Sequence, residues 1–264
     1  MYPVLFQIGP FSLHSLWLFV SIAFIISILK FSKIAKRQRL DLTPFHNHGL
    51  TIIMITLLTS RLVFFLMNQA FYMPTFSFNR LLGFFYIWDK GLSFWGGLAG
   101  FIFILIIVLI KRGENILRWL DALVIPLGIG IIIANFGQLL DGQGYGRETI
   151  LPWGITYQSI NVKYTVPIHP TQIYSMLYIS GILYFFNRFK KHNFFEKDGN
   201  KTLAAIAIYS LCRFGSEFFR GDDTVEIFGI RLAAIISLTA FLISGWFLRK
   251  RNRFSSSTSI YSKL

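Results

Sequence analysis

Seven apolar stretches, at roughly 11–30, 49–70, 92–110, 119–140, 171–187, 202–219 and 231–248, govern what this chain can fold into. A helix needs about 20 apolar residues to cross the hydrocarbon of a bilayer, and each stretch reads as one such span. The fifth and sixth are shorter and more polar than the rest. The expectation is an all-α integral membrane protein with about seven transmembrane helices. Charged residues make up 14% of the sequence, well below the roughly 25% of soluble domains, and no separate soluble domain stands out. The first stretch lacks a basic segment before it and a small-residue cleavage site after it, so it reads as a retained span. Residues 1–250 form a single seven-span domain in this reading, and 251–264 a disordered basic cytoplasmic tail.

The net charge of +14 could suggest a nucleic-acid partner, but its distribution speaks for membrane topology. Lys30, Lys33, Lys36, Arg37 and Arg39 follow the first stretch, and Lys111, Arg112 and Arg118 follow the third. Arg188, Lys190, Lys191, Lys197 and Lys201 follow the fifth, and Arg249, Lys250, Arg251, Arg253 and Lys263 the last. The alternate loops hold only Arg80, Lys90, Arg147, Lys163, Arg220 and Arg231. Positive residues collect on the cytoplasmic side, which places the N-terminus outside and the C-terminus in the cytoplasm. The lone cysteine, Cys212, excludes an internal disulfide and a CxxC pair, and in an apolar run it reads as a packing residue.

The segment NFGQLLDGQGYGR, Asn135 to Arg147, is the first candidate site. It carries Asn135, Gln138, Asp141, Gln143 and Arg147 from an apolar run into glycine-rich sequence. Polar groups at that depth are costly unless they face protein or a watery cavity; the plainer reading is a helix end with a polar loop. SFWGGLAG, Ser93 to Gly100, presents Gly96, Gly97 and Gly100 as a small face that admits a helix or a lipid closely. Loop 71–91 ends in Tyr86, Trp88 and Asp89 and suits the interface. Loop 141–170 is long enough to contribute to an outward-facing site. In CRFGSEFFRGDD, the residues Arg213, Glu217 and Arg220 share one helical face. They form either an ion-pair strip or an anion site, since guanidinium groups clamp phosphate bidentately. Arg61 is a further intramembrane cation, with Asp89 and Asp121 as candidate partners.

Taken in order, FQIGPFSLH, TSRLVFF, WDKGLSFWGGLAG, NFGQLLDGQGYGR, IHPTQIY and CRFGSEFFR resemble the blocks of the bacterial prolipoprotein diacylglyceryl transferases across almost the whole chain. The resemblance implies a multi-pass protein of the bacterial cytoplasmic (inner) membrane. It implies transfer of the diacylglyceryl group of phosphatidylglycerol to the lipobox cysteine of a preprolipoprotein signal peptide, with glycerol phosphate leaving. It implies no cofactor, no metal and no nucleic-acid partner. Arg213, Glu217 and His169 are the catalytic candidates. Asn135, Gln138, Asp141, Gln143, Arg147, Arg220, Gly96, Gly97 and Trp95 are the candidates for phosphatidylglycerol or another anionic phospholipid.

The sequence also departs from the family pattern. Trp95 replaces the signature histidine, Asn135 the arginine of a glycine-arginine pair, Gln143 a glutamate, Leu16 a tyrosine and Ser175 a further glutamate. Tryptophan cannot act as a base, and neutral amides bind phosphate without balancing its charge. Two function classes therefore stand side by side. One is a working transferase in which His169, Glu217 or Asp141 handles the proton. The other is a repurposed paralogue that binds phospholipid or precursor without transfer. A transporter is a weaker third, for which no inverted repeat is apparent.

Overall fold

A computed structural model describes residues 2–8, 11–68, 91–157 and 162–261. The expectations placed on Arg80, Tyr86, Trp88, Asp89 and Lys90 lie outside the described residues. The elements run as follows: strands β1 (Val4–Ile8) and β2 (Phe11–His14), then helices α1 (Ser15–Arg37), α2 (Thr43–Met67), α3 (Phe94–Arg112), α4 (Ile116–Asp141) and α5 (Thr171–Arg188). A short 3-10 turn (Asn193–Glu196) and α6 (Asn200–Glu217) follow, then β3 (Glu226–Ile227), β4 (Ile230–Arg231) and α7 (Leu232–Tyr261). Each α-helix coincides with one apolar stretch of the sequence.

Five of them, α1 to α4 and α7, are long and apolar enough to cross a membrane. The other two, α5 and α6, have 18 residues each and are the two stretches that read as shorter and more polar. Large apolar side chains point outward, among them Phe24 at 59%, Leu29 at 65% and Leu242 at 60% exposure. Water would penalise such faces, whereas hydrocarbon accepts them.

The chain folds as two compact units, Arg39–Ile116 and the remainder, Met1–Gln38 with Leu117–Leu264. In the Arg39–Ile116 unit, α3 starts where Ser93 Oγ accepts from the Gly96 amide at 3.3 Å and ends at Gly113, whose φ is 68°. Both are standard helix stops. Here α2 and α3 pack directly. A Cβ on Gly96 would stand 2.7 Å from the Thr59 carbonyl oxygen, and one on Gly100 would collide with the Thr59 hydroxyl. The small face of SFWGGLAG is thus filled by α2. Arg61 Nη1 donates to the Gly91 carbonyl at 2.9 Å.

In the larger unit, Ser27 Oγ donates to the Pro126 carbonyl at 3.0 Å. This ties α1 to α4 at the proline; the carbonyl that Pro126 deprives of its helical donor is that of Ala122, one turn earlier. Gly137 lets α1 close on α4, because a Cβ there would lie 2.8 Å from Phe19 Cβ. The start of α6 is capped from another element. Asp121 of α4 accepts from the Gly199 amide at 2.6 Å and from the Thr202 amide and hydroxyl at 2.7 and 2.6 Å. A carboxylate suits the orphan donors and positive dipole end of a helix N-terminus. β3 and β4 form a hairpin whose turn residues, Phe228 and Gly229, have φ of 52° and 75°, as a two-residue turn of the I′ kind requires. Helix α7 continues to Tyr261.

Candidate active site

The glycine-rich loop after α4 is built by its neighbours. Helix α4 ends at Asp141, and the amides of Gly142 and Gln143 donate back to the Gln138 carbonyl at 2.9 and 3.0 Å. Gly142 and Gly144 then take φ of 79° and 65°, values that favour glycine. The first turn of α5 grips this loop. Gln172 Nε2 donates to the Gln143 carbonyl at 2.6 Å, and Thr171 Oγ1 donates to the Gly144 carbonyl at 2.5 Å. The HPTQIY block therefore acts as a clamp on the loop. Tyr157 donates to Gln172 Oε1 at 3.3 Å, and burial pushes the Tyr157 phenol up to about 12 against the opposing effect of that bond. Tyr145, Tyr157, Val162 and Ile168 close a small apolar core beneath.

The far end of the loop docks on the end of α6. The amide of Gly146 donates to the His169 carbonyl at 3.1 Å, that of Arg147 to the Phe219 carbonyl at 2.8 Å, and that of Gly221 to the Tyr145 carbonyl at 3.0 Å. Arg147 Nε donates to the Arg220 carbonyl at 3.1 Å. These chains approach so closely that a Cβ on Gly221 would lie 2.5 Å from the Gly146 carbonyl oxygen.

Three arginines and two carboxylates meet there. Arg213 Nη2 lies 2.6 Å from Glu217 Oε1, and Arg231 Nε donates to Glu217 Oε2 at 2.7 Å. Asp222 accepts from Arg220 Nε and Nη2 at 2.9 and 2.5 Å, and from Arg231 Nη2 at 2.9 Å. Arg231 Nη1 also donates to the Asp222 carbonyl at 2.8 Å. Glu217 is 2% exposed. Its Oε1 has Arg213 and Arg220 as ionic neighbours, the latter at 4.0 Å, but no aligned hydrogen-bond donor. Burial pushes Asp222 up, but the Arg220 hydrogen bond and the charges of Arg220 and Arg231 overcome this and hold the carboxyl below its usual range. The group keeps an excess positive charge. Beside it, a pocket of about 410 Å³ is lined by Arg147, Lys163, Arg220 and Arg231 together with Asp222, Asp223 and Glu226.

Not every arginine is equally free to meet an anion. All three donor nitrogens of Arg231 are engaged, and two of those of Arg220 are held by Asp222. Arg147 is exposed, whereas Arg213, at 17% side-chain exposure, is no more open than Arg220 at 16%. What sets Arg213 apart is an ionic contact to Glu217 without an aligned hydrogen bond, while Arg231 and Asp222 hold the frame. The sequence reading counted Arg231 only among the topology charges. Its signal is a charged residue immediately before the last apolar run.

The remaining candidates separate by location. Gly144 joins Gln138 to Arg220, since a Cβ there would lie 3.6 Å from Gln138 Oε1 and 3.2 Å from Arg220 Nη2. Gln143 Nε2 donates to Asp141 Oδ2 at 2.7 Å. Asn135 Nδ2 donates to the Ile131 carbonyl of its own helix at 2.8 Å. His169 Nδ1 is 3.0 Å from the Tyr174 hydroxyl, which accepts from Trp153 Nε1 at 2.8 Å, and burial lowers its basicity. Trp95, Gly96 and Gly97 belong to the Arg39–Ile116 unit, where Trp95 is 56% exposed. Among the described residues, no group of three His, Cys, Asp or Glu side chains converges on a metal position.

Residues 3–249 match the prolipoprotein diacylglyceryl transferase family. A phosphatidylglycerol–prolipoprotein diacylglyceryl transferase of Campylobacter curvus (strain 525.92) is 27% identical over 266 residues, spanning 95% of this chain and 94% of its own. The protein of that name from Clostridioides difficile (strain 630) is 27% identical, spanning 92% and 94%. That of Polynucleobacter necessarius (strain STIR1) is 33% identical over 156 residues, spanning 58% and 57%. With a match over nearly all its length and apolar helices fit to cross a bilayer, this chain belongs to the prolipoprotein diacylglyceryl transferase family of multi-pass membrane proteins.

Proposed function

We propose that the chain is a phosphatidylglycerol–prolipoprotein diacylglyceryl transferase of the bacterial cytoplasmic membrane. It spans that membrane seven times, N-terminus outside and C-terminus inside, with α5 and α6 as the two shorter spans. The observation that carries the site is the excess of guanidinium over carboxylate at the end of α6, where Arg213 and Glu217 meet Arg220, Arg231 and Asp222. A phosphodiester presented to Arg213 and Arg147 meets charge held in place, Arg213 by the buried Glu217 and Arg147 by the Arg220 carbonyl. Such preorganised charge stabilises the phosphate as negative charge builds on the leaving oxygen. The acceptor is a cysteine thiol in a signal peptide, and it reacts as the thiolate. Gln138, Asp141 and Gln143 border the site from α4 and its loop, while Asn135, Trp95, Gly96 and Gly97 act through packing and the lipid-facing surface.

The test is release of glycerol phosphate from phosphatidylglycerol vesicles by the purified protein. Release that requires a lipobox peptide supports transfer; release independent of the peptide, or none, contradicts it. A second reading, phospholipid binding without transfer, is favoured by Asn135, whose amide is turned into its own helix, and by Trp95, which brings no titratable group. That reading predicts saturable vesicle binding with no glycerol phosphate released.

A further inference from the structure

The proposed transfer needs a group that takes the thiol proton. Of the two imidazoles near the glycine-rich loop, His169 is poorly placed for this. Tyr174 accepts from Trp153 at 2.8 Å and so has its own hydroxyl proton to give to His169 Nδ1 at 3.0 Å. In that arrangement the imidazole accepts at Nδ1 and carries its proton on Nε2, so its lone pair is taken by Tyr174.

His14 is arranged the other way. It closes β2 and caps α1 without a side-chain bond to the helix. Its Nδ1 faces Asp141 Oδ1 at 4.0 Å, and its Nε2 lies 3.4 Å from Ser12 Oγ. Asp141 is 4% exposed at the end of α4, with its other oxygen bonded to Gln143 Nε2 at 2.7 Å. A carboxylate only accepts, so it favours the tautomer with the proton on Nδ1 and turns the Nε2 lone pair toward the Ser12 hydroxyl, a long contact at 3.4 Å. Nε2 points toward exposed Ser12, a position that an incoming thiol can share or take. The gaps are wider than formed hydrogen bonds, as is usual before substrate closes such an arrangement. One loop links this pair to the anion cluster: it leaves Asp141, passes the Gln143 carbonyl held by Gln172, and ends in the Gly146–Arg220 bridge.

Resting on the transferase reading, we propose that His14, oriented by Asp141, is the proton acceptor for the lipobox thiol. The thiol S–H gives its proton to His14 Nε2. The sulfur then forms a bond to the glyceryl carbon that carries the phosphate, and the carbon–oxygen bond breaks with its electron pair leaving on glycerol phosphate. The proton passes from His14 to that departing phosphate or to water. Asp141 is a positioning residue in this step.

The experiment compares wild type, His14→Gln and Asp141→Asn in phosphatidylglycerol vesicles, with a lipobox peptide carrying cysteine and one carrying selenocysteine. The selenol is already ionised at neutral pH and needs no base. His14→Gln is expected to lower turnover of the cysteine peptide on the order of 100-fold with little change in KM for lipid, and added imidazole restores part of it. Asp141→Asn shows a smaller loss of the same kind. Both variants match wild type on the selenocysteine peptide. A His14→Gln protein that transfers to cysteine at the wild-type rate overturns the role, as does an equal loss on both peptides. If wild type transfers to neither peptide, the transferase reading itself fails and the role goes with it.

Discussion

Arg231 Nε donates to Glu217 Oε2 across 2.7 Å, tying the first residue before α7 to the last residue of α6. Glu217 is 2% exposed and Arg231 8%, so either charge left alone would be stranded in a poorly solvated place. Removing one partner of a buried pair is strongly destabilising, by about 3–5 kcal/mol. Arg231→Ala should therefore lower the unfolding temperature in detergent and abolish transfer. Arg213→Ala removes an ionic contact to Glu217 that has no aligned hydrogen bond, against the three hydrogen bonds of Arg231, so it should abolish transfer with a smaller change in melting. Thermal melts and transfer assays on both variants separate these roles; equal melting losses would contradict the division.

Asp222 supplies a pH dependence. Its carboxyl lies below the usual range in the folded protein, despite burial, because Arg220 and Arg231 hold it ionised. A depressed folded-state value contributes stability that is complete above the ordinary carboxyl value of about 3.9. That contribution is lost as pH falls through the lower folded value. Asp222→Asn should flatten this acid limb in melting curves recorded from neutral pH downward. An unchanged limb would show that other carboxylates govern it.

Glycines at the loop junction leave no room for a side chain. A Cβ on Gly146 would press into the His169 carbonyl and approach the Phe219 carbonyl oxygen at 2.9 Å. Backbone cannot give way as a flexible side chain can, and overpacking costs about 1–3 kcal/mol. Gly146→Ala should weaken the 146–220 bridge and reduce transfer, read by the peptide assay. Gly215→Ala, which meets nothing within 4 Å, should leave melting unchanged or raised.

The α2–α3 contact makes a separable prediction. Gly100 faces the side chain of Thr59, whereas Gly96 faces its carbonyl oxygen at 2.7 Å and Val63 Cβ at 2.7 Å. Both alanine variants should destabilise. Adding Thr59→Ala should relieve Gly100→Ala but not Gly96→Ala, as a double-mutant cycle on melting temperature would reveal.

Asp121→Ala removes three acceptor contacts from the start of α6. Loss of a helix cap costs about 1–2 kcal/mol, and the variant should melt earlier. Asparagine should recover part of the loss, because its carbonyl oxygen still accepts. Equal melting of the alanine and asparagine variants would contradict the capping role.

The helices were legible because hydrocarbon demands long apolar runs, and all seven stretches are helical. The shared face of Arg213, Glu217 and Arg220 was legible because helical spacing is local. Asp222 and Arg231 were not, because a loop and a hairpin bring them to Glu217 and neither follows a helical period. The capping of α6 by Asp121 was not legible either, because that contact reaches 78 residues along the sequence. The clamp role of Thr171 and Gln172 also escaped, since only the folded loop shows which carbonyls they hold. Gly96 and Gly97 were read as open to helix or lipid, and α2 fills the place. Local patterns reveal faces; partners that arrive over long sequence separations need the fold.

Purified protein in phosphatidylglycerol vesicles is incubated with a lipobox peptide, and the peptide is weighed by mass spectrometry. A diacylglyceryl adduct is expected with wild type and none with Arg213→Ala. No adduct with wild type, unrestored by Trp95→His together with Asn135→Arg, would contradict transfer and leave a phospholipid-binding protein on the transferase fold.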